Sequence, residues 1–414
     1  MNFPALMGVY LAVNAVSDAH VLVDGPDCAL YKAHFIHGRH DLNSTLLRGS
    51  GRHRVAFTNV CSRGVVKEHD AIIQGQLQTL DALDESGLSM VTALPMCSIT
   101  GVDYGRLIRS LNGRLKKPAV DIPPESLVGD WLDGYAQTLS ALARGLDIAA
   151  GRIRPGTAAI VGNLMDRNEA DHLANVAELS RMLAALGLET VSVWLSGQGA
   201  GALKRVEEAS LIVSLPYGRV AARRLAAVTG AKLVETELPF GLPKTTALLR
   251  AVGQAAGKQA EAEAFIDAEL SRVIPRLKWI IPQYFLHRRA AFMGDPYLLG
   301  GFLDIAEDLG LSVEGAIVRG RKMHGGADAP ASILYEPPAF SQEVRRLVQT
   351  PLDLFVSCWC EAELPGLTLP FVEFGFPSYR HHALFDRPFL GFPGFLSFVE
   401  RMADELSRPR RKGR

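Results

Sequence analysis

The residues in this chain best suited to chemistry are its cysteines. Cys28 follows the turn Asp24-Gly25-Pro26-Asp27, Cys61 follows the apolar run Arg54–Thr58, and Cys97 follows the run Met90–Leu94. Three thiols lying just past three strand-like runs would converge at one sheet edge, because functional groups in open parallel sheets gather at the carboxyl ends of strands. Thiolates are the usual ligands of iron–sulfur clusters, which commonly take four. One chain offers three here, so a cluster needs a further ligand or a second subunit. Cysteine is also a common small core residue, and spacing alone leaves both uses open. No C-x-x-C pair occurs in this stretch, which argues against a zinc ribbon. Cys358 and Cys360 sit two apart at the end of the run Leu354–Ser357 and would face the same side of a strand, either as a reactive or metal-binding pair or as buried thiols.

Histidines supply the second set. His34, His37 and His40 cluster with Asp41 after Cys28, and His53 and His69 follow. Histidine titrates near neutrality and suits proton delivery. In a helix, His34 and His37 share a face, as candidate catalytic groups or as part of a surface turn. Asp166-Arg167-Asn168-Glu169 and Asp171-His172 open a helical segment, where capping accounts for the acids. Near the C-terminus, Tyr379, Arg380, His381 and His382 follow a Gly-Phe-Pro turn. Such a loop could bind an anionic group or relay protons, or pack against a neighbouring lobe. Lys244 stands at a helix start, a place that suits an anion.

The elements that must carry these residues follow from the apolar pattern. At 414 residues, 48% apolar and 21% charged, the chain has the composition of a folded protein of two or three domains. Short apolar runs alternate with amphipathic segments, so the fold class is α/β, with three Rossmann-like lobes each built on a mainly parallel sheet flanked by helices. Boundaries are placed to give lobes 1–152, 153–260 and 261–414. One example is the strand Thr157–Val161, followed by a helix over 169–186 whose core face takes Leu173, Val176, Ala177, Leu183 and Leu186. The opening apolar run Phe3–Val23 lacks a basic segment before it and a cleavage site after it, and is expected to form a buried helix and strand. Forty-four basic residues balance forty-four acidic ones, so no global field recruits nucleic acid or a membrane. The basic tail after Leu406 is expected to be a solvated terminus. A cytoplasmic location is expected, and five cysteines, an odd count, argue against a disulfide framework.

With these residues in view, the chain resembles the nitrogenase component 1 superfamily, including the protochlorophyllide and chlorophyllide reductases and the reductase of F430 biosynthesis. LVDGPDCALY is similar to the family's cluster-ligand turn and LPMCSITGVDY to a second ligand segment; VVKEHDAIIQGQLQTL resembles the stretch leading into a helix. The middle lobe matches through LSRMLAALGLETVSVWLSG and LPFGLPKTTALLR. The last lobe matches through AAFMGDPYLLGGFLDIAEDLGL and VEFGFPSYRHHALFDRPFLGFPGFLSFVERMAD. The resemblance implies three lobes around a central cleft and an iron–sulfur cluster, [4Fe-4S] or larger, held by Cys28 and Cys97, with Cys61 as an added candidate. Phe3 stands near where the family's first cluster cysteine would be, so two chains, as a homodimer or paired with a homologous subunit, would complete the ligand set. The positions matching the ligands of a nitrogenase FeMo cofactor are near Ser214–Leu215 and Leu390, which do not ligate iron, so no such cofactor and no dinitrogen reduction are expected. Electrons would come from a separate ATP-dependent iron–sulfur reductase. The chain has no P-loop of its own, since Gly241-Leu-Pro-Lys-Thr-Thr lacks the glycine before lysine. The expected activity is reduction of an unsaturated small organic substrate, with His34, His37, Arg380, His381 and His382 as candidate catalytic residues. A scaffold for metal-cofactor assembly and a cluster-free binding protein of the same fold are the alternatives.

Overall fold

The computed structural model describes residues 3–48, 52–60, 69–124, 129–318, 333–335, 340–358 and 369–408. They form two compact units. One comprises Phe3–His172 and Leu188–Glu235; the other comprises Leu173–Gly187 and the chain from Thr236 onward.

The first unit contains two sheets. Chain order in its first half is α1 (Ala5–Asn14), β1 (Ala19–Asp24), α2 (Cys28–Phe35), β2 (Val55–Phe57), α3 (His69–Asp81), β3 (Leu88–Ala93), α4 (Pro95–Ser98), α5 (Tyr104–Ser110), β4 (Ala119–Asp121) and α6 (Trp131–Gly145). As expected, the apolar opening run is a buried helix and strand. Every residue of α1 is buried, and α1 lies so close to α6 that a Cβ at Gly8 would fall 1.8 Å from the Trp131 carbonyl oxygen, and one at Gly134 1.9 Å from that of Ala5. Among the described residues, no helix is long and apolar enough to cross a membrane. The sheet runs β2-β1-β3-β4 with every pairing parallel. All six residues of β1 and of β3 are buried, which explains their nearly continuous apolar character. The chain leaves β1 for one side of the sheet and returns through β3 on the other. Their carboxyl ends therefore flank the switch point where α/β sheets open a crevice.

The same plan repeats with β5 (Arg154–Val161), α7 (Ala170–Ala185), β6 (Glu189–Val193), α8 (Ala200–Lys204), β7 (Ala209–Ser214), α9 (Arg219–Thr229) and β8 (Lys232–Glu235), in the parallel order β6-β5-β7-β8.

The second unit contains α10 (Leu242–Ala256), α11 (Gln259–Leu277), β9 (Arg289–Gly294), α12 (Pro296–Leu309), β10 (Ser312–Val318), β11 (Ile333–Tyr335), α13 (Phe340–Gln349), β12 (Leu354–Ser357), β13 (Phe371–Glu373) and α14 (Gly391–Ser407). Its sheet is five-stranded, β11-β10-β9-β12-β13, again wholly parallel. Phe240, Phe374 and Phe398 stack into its core, with ring centroids 4.8–5.2 Å apart.

The core face expected for α7 needs correction. Leu173 and Ala177 are exposed, whereas Asn175, Glu178, Leu179, Met182, Leu183 and Leu186 are buried. Polar side chains draw this face inward. Asn175 Oδ1 accepts the backbone N–H of Phe389 (2.9 Å) and of Leu390 (3.0 Å), and Glu178 pairs with Arg181, which also reaches Glu269 at 3.0 Å. Hydrophobicity alone picks the wrong stripe when buried polar groups are satisfied by tertiary partners.

Candidate functional site

The carboxyl ends of β1 and β3 meet as the cysteine spacing anticipates. The turns after them are stitched together: Leu94 N–H donates to Asp24 O (2.9 Å), and a Cβ at Gly25, where φ is +149°, would lie 2.7 Å from the Leu94 side chain. Cys28 opens α2 and is exposed. Tyr10 anchors this first turn by donating to the Ala29 carbonyl at 2.8 Å, and its own pKa is raised, by burial first and by the nearby Cys28 second. Cys97 lies in α4 and is fully buried, packed with Leu22, Ile73, Leu77, Val91 and Leu107. Burial, reinforced by the Asp24 charge, pushes its thiol up to about 11. Cys61 and Cys360 lie outside the described residues, and Cys358 is buried just past β12. Among the described residues, no three His, Cys, Asp or Glu side chains assemble to hold a metal ion.

Between the two turns sits a residue that the motif reading passed over. Asp24, the last residue of β1, is fully buried. Its Oδ1 accepts the Thr58 hydroxyl (2.7 Å), its Oδ2 accepts the Tyr104 hydroxyl (2.7 Å), and His69 Nε2 lies 2.9 Å from both oxygens. The Tyr104 pKa is raised, first by burial and then by its bond to Asp24. The only hint in the sequence is an acid closing a mainly apolar strand. Its partners come from 34 to 80 residues away, beyond the reach of local pattern.

The first histidine cluster divides. His34 is exposed on α2; His37 is half-buried in the π-helical turn Ile36–His40, with Nδ1 3.2 Å from the Ser44 carbonyl. His40 is fully buried and faces the loop after β5, where its Nε2 lies 3.8 Å from Asp166 Oδ2. Asp166 Oδ1 is 2.8 Å from His172 Nε2. Arg167 pairs with Asp171 and, at 3.3 Å, with Glu169. Burial pushes Asp166 up, but His172, His40 and Arg167 outweigh it and hold the carboxyl below its usual range. His172 also feels burial, yet the Asp166 and Asp171 charges raise its pKa. Beside them Asp41, raised by burial, accepts from Asn14 (2.5 Å) and from the Asn168 backbone (3.1 Å). The acids that open α7 are thus members of a buried ionic network as well as terminal residues.

In the second unit, Arg380, His381 and His382 share one loop that Glu373, at the end of β13, holds in place. Glu373 Oε1 accepts from Ser378 Oγ and from the Arg380 backbone N–H, both at 2.9 Å. His382 Nε2 lies 3.1 Å from the Tyr379 carbonyl, and the Arg380 side chain is exposed. Lys244 is engaged by Asp304 at 3.3 Å, which meets its charge from within the protein. Ser214, Leu215 and Leu390 are all buried.

A family model described as nitrogenase component 1 type oxidoreductase matches residues 4–407. No curated protein matches. Among the solved structures that match, two share the fold over nearly the whole chain. Nitrogenase Cp1 at pH 6.5 is 17% identical with a TM-score of 0.82, over 98% of this chain and 92% of that one. Nitrogenase Cp1 at pH 5 is 13% identical with a TM-score of 0.77, over 99% of this chain and 88% of that one.

Proposed function

The chain belongs to the nitrogenase component 1 type oxidoreductase family, and from that premise we propose that it is the reductase component of a two-protein system acting on an unsaturated small organic molecule. The observation that carries this reading is the pairing of an exposed Cys28 with Cys97 on two hydrogen-bonded turns at the switch point of one sheet. Two thiols fit half of a four-thiolate set. They make a complete set only when a second copy or a homologous subunit brings its own pair, with Cys61 as an added donor. The ligands of the proposed [4Fe-4S] or larger cluster are Cys28 and Cys97 of each chain, and bound there it would supply one-electron transfer at low potential. Coordination deprotonates a thiol outright, which answers the high pKa of Cys97.

The remaining residues bind and move protons in this reading. The exposed His34 and half-buried His37 exchange protons with solvent beside the Cys28 turn. Arg380, set on a loop that Glu373 anchors, offers a guanidinium to an anionic substrate group, with His381 and His382 adjacent. Ser214, Leu215 and Leu390, at the positions matching the ligands of a FeMo-type cofactor, do not ligate iron, so this reading includes no such cofactor and a reaction other than dinitrogen reduction. Electrons would come from a separate ATP-hydrolysing iron–sulfur protein. Three lobes bounded near residues 152 and 260, and a cytoplasmic location, complete the proposal.

Anaerobic purification followed by iron and sulfide analysis tests it. About four irons per dimer are expected, lost in both Cys28→Ala and Cys97→Ala. A colourless, iron-free protein prepared with active cluster-assembly machinery would sink the cluster, and iron retained in both variants would move the ligands elsewhere.

A further inference from the structure

Residues 270–289 include five cations, Arg272, Arg276, Lys278, Arg288 and Arg289, together with His287 and no acid. The chain as a whole is neutral, so this excess is local. It runs from the last turns of α11 through the π-helical turn Ile281–Phe285 to the start of β9. Part of the charge is already met. Arg272 lies 3.3 Å from Glu269, and Arg288 and Arg289 share Asp353 at 3.7 and 3.5 Å. Arg276 and Lys278 are exposed, and neither pairs with a described acid.

The same stretch leaves large apolar side chains in water. The core face of α11 consists of Ala262, Ile266, Glu269, Val273 and Leu277, a stripe that excludes Ile274. Ile274 is 49% exposed, Trp279 66% and Leu286 46%. Single exposed hydrophobics are ordinary, but three within 274–286, interleaved with unpaired cations, mark a surface that meets another. A second copy of this chain does not suit it, because a two-fold contact would set these cations against their own counterparts. The occupant must be anionic and must also accept a tryptophan, an isoleucine and a leucine. A protein carboxylate is best met by a guanidinium fork that neighbouring groups hold in place. Arg276 and Lys278 have no acid to hold them, which suits diffuse attraction. An anionic lipid surface offers that attraction, with apolar depth beneath it for Trp279.

We propose that the end of α11 and the turn after it form a peripheral membrane-binding surface. Trp279, Ile274 and Leu286 enter the headgroup region of an anionic bilayer, and Arg276 and Lys278 draw the protein to it. A contact of this kind leaves the whole chain on one side of the membrane, and it does not depend on the reductase reading above.

Co-sedimentation of the full chain with vesicles tests this, comparing phosphatidylcholine alone with phosphatidylcholine mixed with phosphatidylserine. Binding is expected to the mixed vesicles only, weakening as salt rises. Arg276→Gln combined with Lys278→Gln should lower the affinity about 25-fold, about fivefold per charge, and Trp279→Ala about tenfold. All three side chains stand in water, so the variants should keep the wild-type denaturation midpoint. Brominated acyl chains in the mixed vesicles should quench tryptophan emission of the wild type, and Trp279→Phe should lose that quenching. Wild-type protein that stays in solution with mixed vesicles at low salt overturns the proposal. So does affinity within about twofold of wild type in both variants, which would place the contact elsewhere, for instance on the basic tail after Leu406. Equal affinity for soluble polyglutamate or a single-stranded oligonucleotide, untouched by Trp279→Ala, would make the partner an acidic polymer and overturn the lipid surface.

Discussion

The two sheets of the first unit have the same strand order and the same switch point, yet they equip it in opposite ways. The ends of β1 and β3 carry an exposed thiol, a buried thiol and a buried carboxylate bonded to neutral or titratable donors. At the ends of β5 and β7, the chain fills the space itself. A Cβ at Gly162, where φ is +94°, would come within 2.3 Å of the Leu215 carbonyl oxygen and 2.6 Å of the Gly218 nitrogen. Around this contact lies the buried ionic network of Asp166, Arg167, Glu169, Asp171 and His172. One switch point gathers thiols, a carboxylate and a histidine; the other gathers groups that hold the fold. Shared topology therefore says where a site can form, and the side chains at the strand ends decide whether one does.

Removing one partner of each buried centre should separate the two most sharply. Asp166→Asn leaves buried His172 and His40 without the carboxylate they share, and is expected to cost about 3–5 kcal/mol. Asp24→Asn leaves no permanent cation unpaired and should cost about 1–3 kcal/mol. Denaturant midpoints check both, and equal losses would break the contrast.

Glycine substitutions come next. Gly162→Ala meets backbone on two sides in a left-handed conformation and should cost about 3 kcal/mol. Gly101→Ala in the first sheet's loop also has positive φ, +72°, but meets nothing within 4 Å, so about 1 kcal/mol is expected. A smaller loss at Gly162 than at Gly101 would mean that the second crevice is looser than it looks.

The pH dependence of stability gives the smallest and most selective test. His172 has a folded pKa above 6.5, so its contribution is complete below about pH 6.5 and is lost as pH rises through the raised value. His20, on β1, is pushed below 6.5 by burial and by Arg54. The unfolded chain then binds the extra proton, and stability falls as pH drops below about 6.5 toward the lowered value. His172→Gln should flatten the alkaline limb and His20→Gln the acid limb, each by on the order of 1 kcal/mol. Loss of both limbs in one variant would show that the two regions titrate as one.

Much of this was legible before any coordinates. The run Leu354–Ser357 is a strand with those same bounds, and Thr157–Val161 lies within β5. Strands buried on both faces are mainly apolar along their length, and that signal is local. The turn carrying Cys28 and the segment carrying Cys97 were readable as neighbours, because strand ends gather at one edge. Less legible was α7, where Leu173 is exposed while Asn175 and Glu178 are buried. Asn175's partner Leu390 lies 215 residues away, and Glu269, which shares Arg181 with Glu178, lies 88 residues from that arginine; periodicity has no access to such distances.

By itself, then, the sequence determined the α/β class, the strand positions and the two thiols at the first switch point, because each follows from local apolar pattern and residue chemistry. Only the tertiary structure decided that Cys97 is sealed in the core while Cys28 is exposed, and that Asp24 gathers Thr58, His69 and Tyr104. It also decided that the acids opening α7 form a buried network. Burial and hydrogen bonding are set by residues far apart in the chain, and the reactivity of a thiol, a carboxylate or an imidazole depends on those surroundings as much as on its own chemistry.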